Sequence, residues 1–220
     1  MAIYAHPDDI EFTVAGTFVL ITSGNAGTHD RKFTRKALSR VREREERESA
    51  RILGVSRIVF LRRNDCELVA TVPLRKELVR RIRKFRPEVV LCNDPQALFF
   101  GDRYVNHPDH RAAGQAALEA VFPCAEMELL WPEAGAPHKV HAVYVSSTPS
   151  PNTWIDVAET IDAKIAALSV HRSQLGDRDI SPRIYGWAMD EARRAPVRKG
   201  SRRPKYAESF RVMRLVRESS

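Results

Sequence analysis

Short apolar runs alternate along this chain with segments of helical periodicity, and this alternation restricts the fold more than any other feature. The runs predicted as strands are residues 2–5, "FVLITSG", "RIVFL", "EVVLCND" and "VHAVYVS". Helices are predicted for residues 10–16, 39–53, 73–85, 109–121 and 158–168. Because successive parallel strands need crossover connections, we predict an α/β fold: a Rossmann-like, doubly wound, mostly parallel sheet with helices on both faces.

No repeat and no clear linker interrupts the 220 residues, so we predict a single domain over residues 1–220. The formal net charge is +8, and much of it lies in "RKFTRKALSRVRERE" and "ARRAPVRKGSRRPK". Charge runs usually form solvated surface, so the basic segment at about residues 190–205 is expected to be exposed. A non-enzymatic module that binds nucleic acid is the less favoured hypothesis. Basic and aromatic residues do not interleave as in such modules, and no nucleic-acid partner is expected.

The sequence also indicates a compartment. No apolar run approaches the ~20 residues of a membrane helix, and no basic stretch followed by an apolar core marks a signal peptide. The three cysteines are widely separated and form no C-x-x-C pair. Free thiols are typical of a reducing compartment, so we predict a cytoplasmic protein without a transmembrane segment. Cys66 has no evident basic partner and is expected to be inert.

Histidines and aspartates follow two of the predicted strands. "HPDD" comes directly after the first strand, and the loop after the fourth strand leads to "NHPDH". In a doubly wound sheet of order 3-2-1-4-5, these two strands are neighbours at the topological switch point, where ligands bind outside the carboxyl ends of the strands. The two segments are therefore predicted to face each other.

The spacing within both segments suits a metal ion. His6 and Asp9 are three residues apart, as are His107 and His110, so each pair can converge on one point. Two histidines and one carboxylate with an open fourth position are typical of catalytic zinc. We therefore predict one Zn²⁺ per chain bound by His6, Asp9 and His110, although such donors also accept Fe²⁺ and other divalent ions.

The remaining polar side chains would surround the open position. Asp8 differs in direction from Asp9 by about 100° in a helical turn, so it can act as general base towards a water whose pKa the metal lowers. His107 could stabilise the oxyanion and protonate the leaving amine, while Asp109 could orient His107 and keep it charged. Helix capping alone would account for one aspartate per segment, but not for the doubled, matched pattern.

The same segments resemble a known family. "AHPDDIEF" followed by "AGT", and later "NHPDHRAAGQAAL", are similar to the PIG-L/LmbE family of zinc-dependent N-acetylglucosaminyl deacetylases. Weaker matches extend over most of the chain: "VLITSGNAGTHD", "FRPEVVLCNDP", "PNTWIDV", "KIAALSVHRSQ" and "YAESF". The resemblance implies the metal ligands and catalytic residues above, in a hydrolase that removes acetyl from a small N-acetylglucosamine conjugate. An amidase for a different N-acyl substrate is the alternative, and a homo-oligomer is left open.

Two arginines are candidate substrate contacts. Arg42, in the "R-x-x-E" that ends at Glu45, matches a family position that can contact substrate; the alternative is a surface arginine paired with Glu45. Arg103, together with Arg42 and the loop at residues 62–66, is expected to place positive charge near the pocket mouth. An acidic or phosphorylated conjugate would then be favoured.

The chain departs from the family pattern in two places. Thr17 runs directly into Phe18 where the family has a longer helix, so either the first helix is truncated or a segment is absent at this point. Cys66 stands in "LRRNDCEL" where glycine is usual, which bears on substrate preference. Three further residues match the family's "H-x-S-Q" without an assigned role: His171, Ser173 and Gln174.

Overall fold

A computed structural model describes residues 1–9, 17–197 and 200–215 of the protein. The strands are β1 (Ala2–Tyr4), β2 (Thr17–Thr22), β3 (Arg57–Arg63), β4 (Val89–Asn93), β5 (Phe99–Phe100), β6 (Tyr104–Val105), β7 (Ala142–Ser146), β8 (Thr153–Asp156) and β9 (Ala207–Arg214). The α-helices are α1 (Arg35–Ile52), α2 (Val72–Phe85), α3 (Pro108–Glu119), α4 (Ile161–Ser169), α5 (Arg172–Leu175) and α6 (Ser181–Arg194). The helix predicted at residues 10–16 lies outside the described residues, and so does the question of a shortened first crossover.

Within the described ranges, seven strands form one sheet in the order β3-β2-β1-β4-β7-β9-β8. Neighbouring strands from β3 to β7 are parallel, whereas β9 runs antiparallel to both β7 and β8. The predicted fold class and the order of the five parallel strands are therefore confirmed. Strands β5 and β6 pair as a separate antiparallel hairpin, which the sequence patterns did not predict.

Helices cover both faces of the sheet. Successive side chains of a strand point to opposite faces, so the neighbours Phe18 and Val19 of β2 belong to two different cores. Val19 packs in a cluster with Leu78 of α2, and Phe18 packs in a cluster with Ala50 of α1. This two-sided burial explains why the parallel strands read as continuous apolar runs.

The ends of the helices follow local chemistry more than apolar periodicity. The helix predicted at residues 39–53 begins earlier, at Arg35, because the Thr34 hydroxyl accepts the Ala37 N–H at 3.1 Å and so caps it. Helix α3 ends at Glu119 and continues as a π-helical turn, Ala120–Cys124. Caps and turns set the ends of a helix, so hydrophobic spacing alone predicts these ends less well than it predicts the middle of the helix.

The basic C-terminal segment lies at the surface wherever it is described. The lysines and arginines described there are all exposed: Arg193, Arg194, Arg202, Arg203 and Lys205. Among the helices of the described ranges, none is both long and apolar enough to span a bilayer.

The packing of α3 on the sheet sets the position of the site. Strands β1 and β4 are adjacent, with Ile3 opposite Cys92, so the loops after them open at the same edge. A Cβ added to Gly114 of α3 would lie 2.2 Å from the carbonyl oxygen of Asn93. Glycine therefore allows α3 to approach β4 closely, and this contact places the N-terminus of α3 against the carboxyl ends of the strands.

Candidate active site

The loop after β1 and the N-terminus of α3 bring three imidazole rings together. The ring centroids of His6 and His107 are 4.7 Å apart, those of His6 and His110 5.2 Å, and those of His107 and His110 5.4 Å. The two His-Asp segments, about a hundred positions apart in the chain, thus face each other at the switch point.

Asp9 lies between the other two predicted metal ligands. Its Oδ1 is 3.2 Å from His110 Nε2 and its Oδ2 is 3.5 Å from His6 Nδ1. Burial opposes ionisation of Asp9, but the adjacent His110 and His6 hold its pKa well below the usual range. Asn106 Oδ1 is 3.0 Å from His110 Nδ1, so it can accept that N–H and orient Nε2 towards Asp9.

Two carboxylates hold His6 from its other side. The Nε2 atom of His6 is 3.1 Å from Asp65 Oδ1 and 3.3 Å from Asp109 Oδ2. Ionised carboxylates only accept hydrogen bonds, so Nε2 carries a proton and Nδ1 is the nitrogen available to a metal. Burial disfavours the charged ring, yet the hydrogen bonds with Asp109, Asp65 and Asp9 raise the pKa of His6 well above its ordinary value.

These donors fit a divalent metal ion. Within the described part of the chain, the ligand atoms lie within 4.8 Å of one another in two groups: His6, His107 and His110, and His6, Asp65, His107 and Asp109. Asp9 contacts His6 and His110 pairwise and belongs to neither group. Imidazole nitrogens and carboxylate oxygens together suit zinc and other first-row ions.

Asp8 has a strained backbone, with a φ of 90°. Non-glycine residues seldom adopt this region, and such strain is concentrated at functional sites. Burial opposes the charged form of His110, but Asp9 raises the pKa of His110 above its ordinary value, and Asp8 contributes to that rise. The Asp8 carboxylate therefore lies near a predicted metal ligand, and its role as a base stays a prediction.

The contacts of Asp109 differ from the predicted ones. Its carboxylate accepts the backbone N–H groups of Cys66 at 2.8 Å and Leu68 at 3.2 Å, in addition to facing His6. Towards His107, the backbone N–H of Asp109 donates to Nδ1 at 3.2 Å. His107 is the N-cap of α3, and an N-cap side chain accepts from the N–H groups of the first turn. Asp109 thus supports His107 through its main chain.

The protonation of His107 also differs from the expectation of a charged ring. Burial lowers the pKa of His107, and the neighbouring His6 lowers it further, against the opposing effect of Asp109. Because Nδ1 accepts a hydrogen bond, the neutral ring carries its proton on Nε2. His107 is therefore a neutral donor in this structure.

Cys66 and Asp65 enter the site from the loop after β3. Cys66 Sγ lies 3.3 Å from His107 Nε2, a histidine contact that the sequence patterns did not reveal. Burial, together with Asp65 and Asp109, raises the pKa of Cys66 and keeps it a thiol. Its φ of 65° explains why glycine suits this position. Sequence reasoning missed Asp65, although it follows a parallel strand that ends at the same edge of the sheet as β1.

Arg42 is a buried residue, only 4% exposed, so the alternative of a surface arginine is wrong. Its Nη1 donates to the Gly24 carbonyl and its Nη2 to the Gly27 carbonyl, both at 2.6 Å. The guanidinium thus fixes the loop after β2, and a role in substrate contact stays a prediction. Arg103 is exposed in the turn between β5 and β6, and its contact with substrate likewise stays a prediction.

The "R-x-x-E" and "H-x-S-Q" segments pack against each other. Glu45 of α1 accepts the backbone N–H of Ser173 at 2.9 Å and its hydroxyl at 2.5 Å. His171 is fully buried, with Nε2 3.8 Å from Glu46 Oε2. These contacts join α1 to α5 and give the second segment a structural role. Nothing in the structure explains Gln174.

Known proteins share this arrangement of sequence and fold. The sequence model of the PIG-L family, described as GlcNAc-PI de-N-acetylase, matches residues 1–121. The diacetylchitobiose deacetylase of Thermococcus kodakarensis is 36% identical over 192 residues, which is 79% of this chain and 69% of that protein. A probable N-acetyl-alpha-D-glucosaminyl L-malate deacetylase 2 of Bacillus anthracis is 27% identical over 195 residues, 81% of this chain and 82% of that protein. The solved N,N'-diacetylchitobiose deacetylase from Pyrococcus horikoshii has a TM-score of 0.83 and 29% identity, covering 97% of this chain and 82% of that chain.

The family match spans β1, β4 and the start of α3, and therefore contains every residue proposed as a metal ligand or catalytic group. The fold agrees with that of the solved deacetylase over nearly the whole chain. On these grounds the chain belongs to the PIG-L family and is an N-deacetylase.

Proposed function

We propose that the enzyme is a zinc-dependent deacetylase of N-acetylglucosamine conjugates, with one ion bound by His6, Asp9 and His110. The observation that supports it is the approach of Asp9 to both histidines, at 3.5 and 3.2 Å, beneath a His6 ring whose Nε2 is held by carboxylates. When bound, the ion would supply Lewis-acid polarisation of the amide carbonyl and a lowered pKa of water.

The side chains around the proposed metal site carry out proton transfer and stabilise the oxyanion. Asp8 accepts a proton from the attacking water as the new C–O bond forms. His107, with its proton on Nε2, donates a hydrogen bond to the oxyanion. The amide C–N bond then breaks as the proton held by Asp8 passes to the leaving nitrogen, and acetate and a free amino sugar are the products.

The charge of the conjugate is a separate question. Arg62, Arg63 and Arg103 are all exposed, and Arg62 also pairs with Glu43, with contacts at 2.9 and 3.1 Å. Arg42 is buried and donates to two carbonyl groups. We propose a neutral conjugate such as diacetylchitobiose, the substrate named for the Thermococcus relative.

The test combines metal analysis with a substrate screen. The purified protein is assayed for bound zinc and for amine release from N-acetylglucosamine, diacetylchitobiose and an N-acetylglucosaminyl malate. We expect about one zinc per chain, release of amine, and loss of activity with a chelator. His6→Ala should lose metal and activity together. Full activity in metal-free protein would contradict the proposal.

A further inference from the structure

A cavity of about 430 Å³ opens beside the site, between the β5–β6 hairpin, the end of β7, helix α6 and strand β9. Its volume falls within the ~300–1,000 Å³ typical of small-molecule sites. None of the proposed metal ligands or catalytic residues lines it. The cavity is therefore distinct from the cluster of proposed metal ligands and catalytic residues.

Two chains of contacts connect this cavity to the His-Asp cluster. Ser146 in its wall has Oγ 2.8 Å from the hydroxyl of Tyr4, two residues before His6. Burial raises the pKa of the Tyr4 hydroxyl, and the carboxylates of both Asp9 and Glu208 add to that rise. Tyr4 thus lies between a predicted metal ligand and a residue of the cavity wall.

The second connection runs through the hairpin. Asn106, which orients His110, also donates through Nδ2 to the Ala97 carbonyl at 2.8 Å, and its backbone N–H donates to the Leu98 carbonyl at 2.8 Å. Phe99 follows directly and lines the cavity. The same residue therefore positions both a candidate ligand and one wall of the cavity.

Aromatic rings stand exposed at the cavity from two different elements. Phe99 of β5 is 62% exposed and Trp187 of α6 is 58% exposed. Large apolar side chains exposed together at a concave surface usually contact a ligand or partner. The C–H faces of a pyranose ring pack well on the electron-rich faces of such side chains.

The polar groups of the cavity are balanced in charge. Lys164 and Glu208 form an ion pair at 2.5 Å, and Glu191 accepts from Arg194 at 2.6 Å through Oε1. The two cations and two anions of the lining thus balance, which suits a neutral ligand rather than an anion.

From these features we infer that the cavity binds the second sugar ring of a neutral N-acetylglucosaminyl disaccharide, with Trp187 and Phe99 against the ring. This inference rests on the proposed function and adds a location for the part of the substrate that does not react. It makes Trp187 and Phe99 specificity residues rather than catalytic ones.

The test compares two substrates in each variant of the metal-loaded enzyme: diacetylchitobiose and N-acetylglucosamine. Trp187→Ala should lower kcat/KM for the disaccharide by about tenfold, the order of one aromatic contact with its buried area, and leave kcat/KM for the monosaccharide unchanged. Trp187→Phe should keep most of the preference because it keeps a ring. Phe99→Ala should lower the disaccharide value selectively by removing the second ring.

The matched control is Phe122→Ala, since Phe122 is 60% exposed but lines a different cavity. It should change neither value. Equal losses for both substrates in Trp187→Ala and Phe99→Ala, or no loss in either variant, would overturn the inference while leaving the deacetylase proposal intact. A wild-type enzyme that releases amine from no N-acetyl sugar would instead overturn the proposed function, and the inference with it.

Discussion

The His6 ring lies between two sets of carboxylates, so it connects the proposed metal site to the loop after β3. Asp9 faces its Nδ1, while Asp65 and Asp109 face its Nε2. The carboxylates at Nε2 fix the ring orientation and raise the basicity of the nitrogen that would bind the metal. Metal affinity should therefore depend on residues that do not touch the ion.

Asp65→Asn tests this dependence. The amide would weaken the hold on the His6 N–H, so we expect zinc affinity to fall by roughly 10–100-fold. The measurement is zinc affinity by competition with a chromogenic chelator, which is independent of turnover. Asp102→Asn, in the exposed turn after β5, is the matched control and should bind zinc normally. Unchanged affinity in Asp65→Asn would show that the Nε2 contact does not tune the site.

Asp8→Asn separates metal binding from proton transfer. Asp8 is proposed as the base and not as a ligand, so the variant should keep its zinc while kcat falls by roughly 10²–10⁴. Zinc content by atomic absorption and kcat on the same preparation give both quantities. Turnover close to wild type would mean that another group accepts the proton.

The sequence predicts part of this site at the residue scale and misses the rest for a physical reason. His6, Asp9 and His110 follow from spacing and from the rule that switch-point strands are neighbours. Asp65 and Cys66 approach through a loop with positive φ at Arg62 and Cys66. Hydrophobic patterns carry no information on such a turn, so this side of the site emerges only from the fold.

At the scale of elements, α1 is a charged helix that buries an arginine. Its sequence reads as an exposed surface helix, yet Arg42 is buried because its nitrogens replace water with the carbonyls of the loop after β2. That loop also donates the Ala26 N–H to Asp65 at 3.2 Å. A charged side chain on a helix can thus be buried where loop carbonyls accept its hydrogen bonds. Hydrophobic periodicity does not reveal such a contact.

Gly24→Ala should destabilise the fold at this contact. Gly24 has a φ of +59°, and an added Cβ would lie 2.4 Å from Arg42 Nη1. The guanidinium cannot retreat without leaving both carbonyls, so we expect a loss of about 2–3 kcal/mol in the free energy of unfolding, measured by denaturant titration.

Gly54→Ala is the matched control, because Gly54 has a φ of +69° at the end of α1 with nothing within 4 Å of an added Cβ. It should show the backbone strain alone, about 1 kcal/mol. Equal losses at the two glycines would mean that Arg42 adapts without cost.

On the scale of the whole molecule, the sequence predicts the parallel half of the sheet and not the antiparallel half. Strands β1 and β2 are buried on both faces, β4 and β7 are buried on one face and partly buried on the other, and the edge strand β3 is only partly buried, but all five read as apolar runs. Strand β9, "AESFRVMR", mixes charged and apolar residues because half of it lies near the surface. Its assignment depends on pairing with β7 and β8 rather than on its own pattern.

The formal charge of +8 should have little effect on turnover. Arg62 and Arg42 are engaged in internal contacts, and the cavity lining is balanced. We expect kcat/KM for a neutral disaccharide to change by less than about twofold between about 0.05 and 0.5 M salt, because a neutral ligand is not steered by a screened field. Steady-state assays at fixed zinc measure this, and a steep fall with salt would indicate an acidic substrate.

Adding one methyl group to Gly114, which contacts Asn93, should abolish activity while leaving the protein folded. The added carbon would meet main-chain atoms of Asn93 and Pro95, which cannot rotate away as a side chain can. Helix α3 would have to shift outward, taking His107 and His110 with it and leaving His6 behind in the loop after β1. A library randomised at position 114 and selected for turnover should therefore return glycine alone. Folded but zinc-deficient protein should be found among the discarded clones.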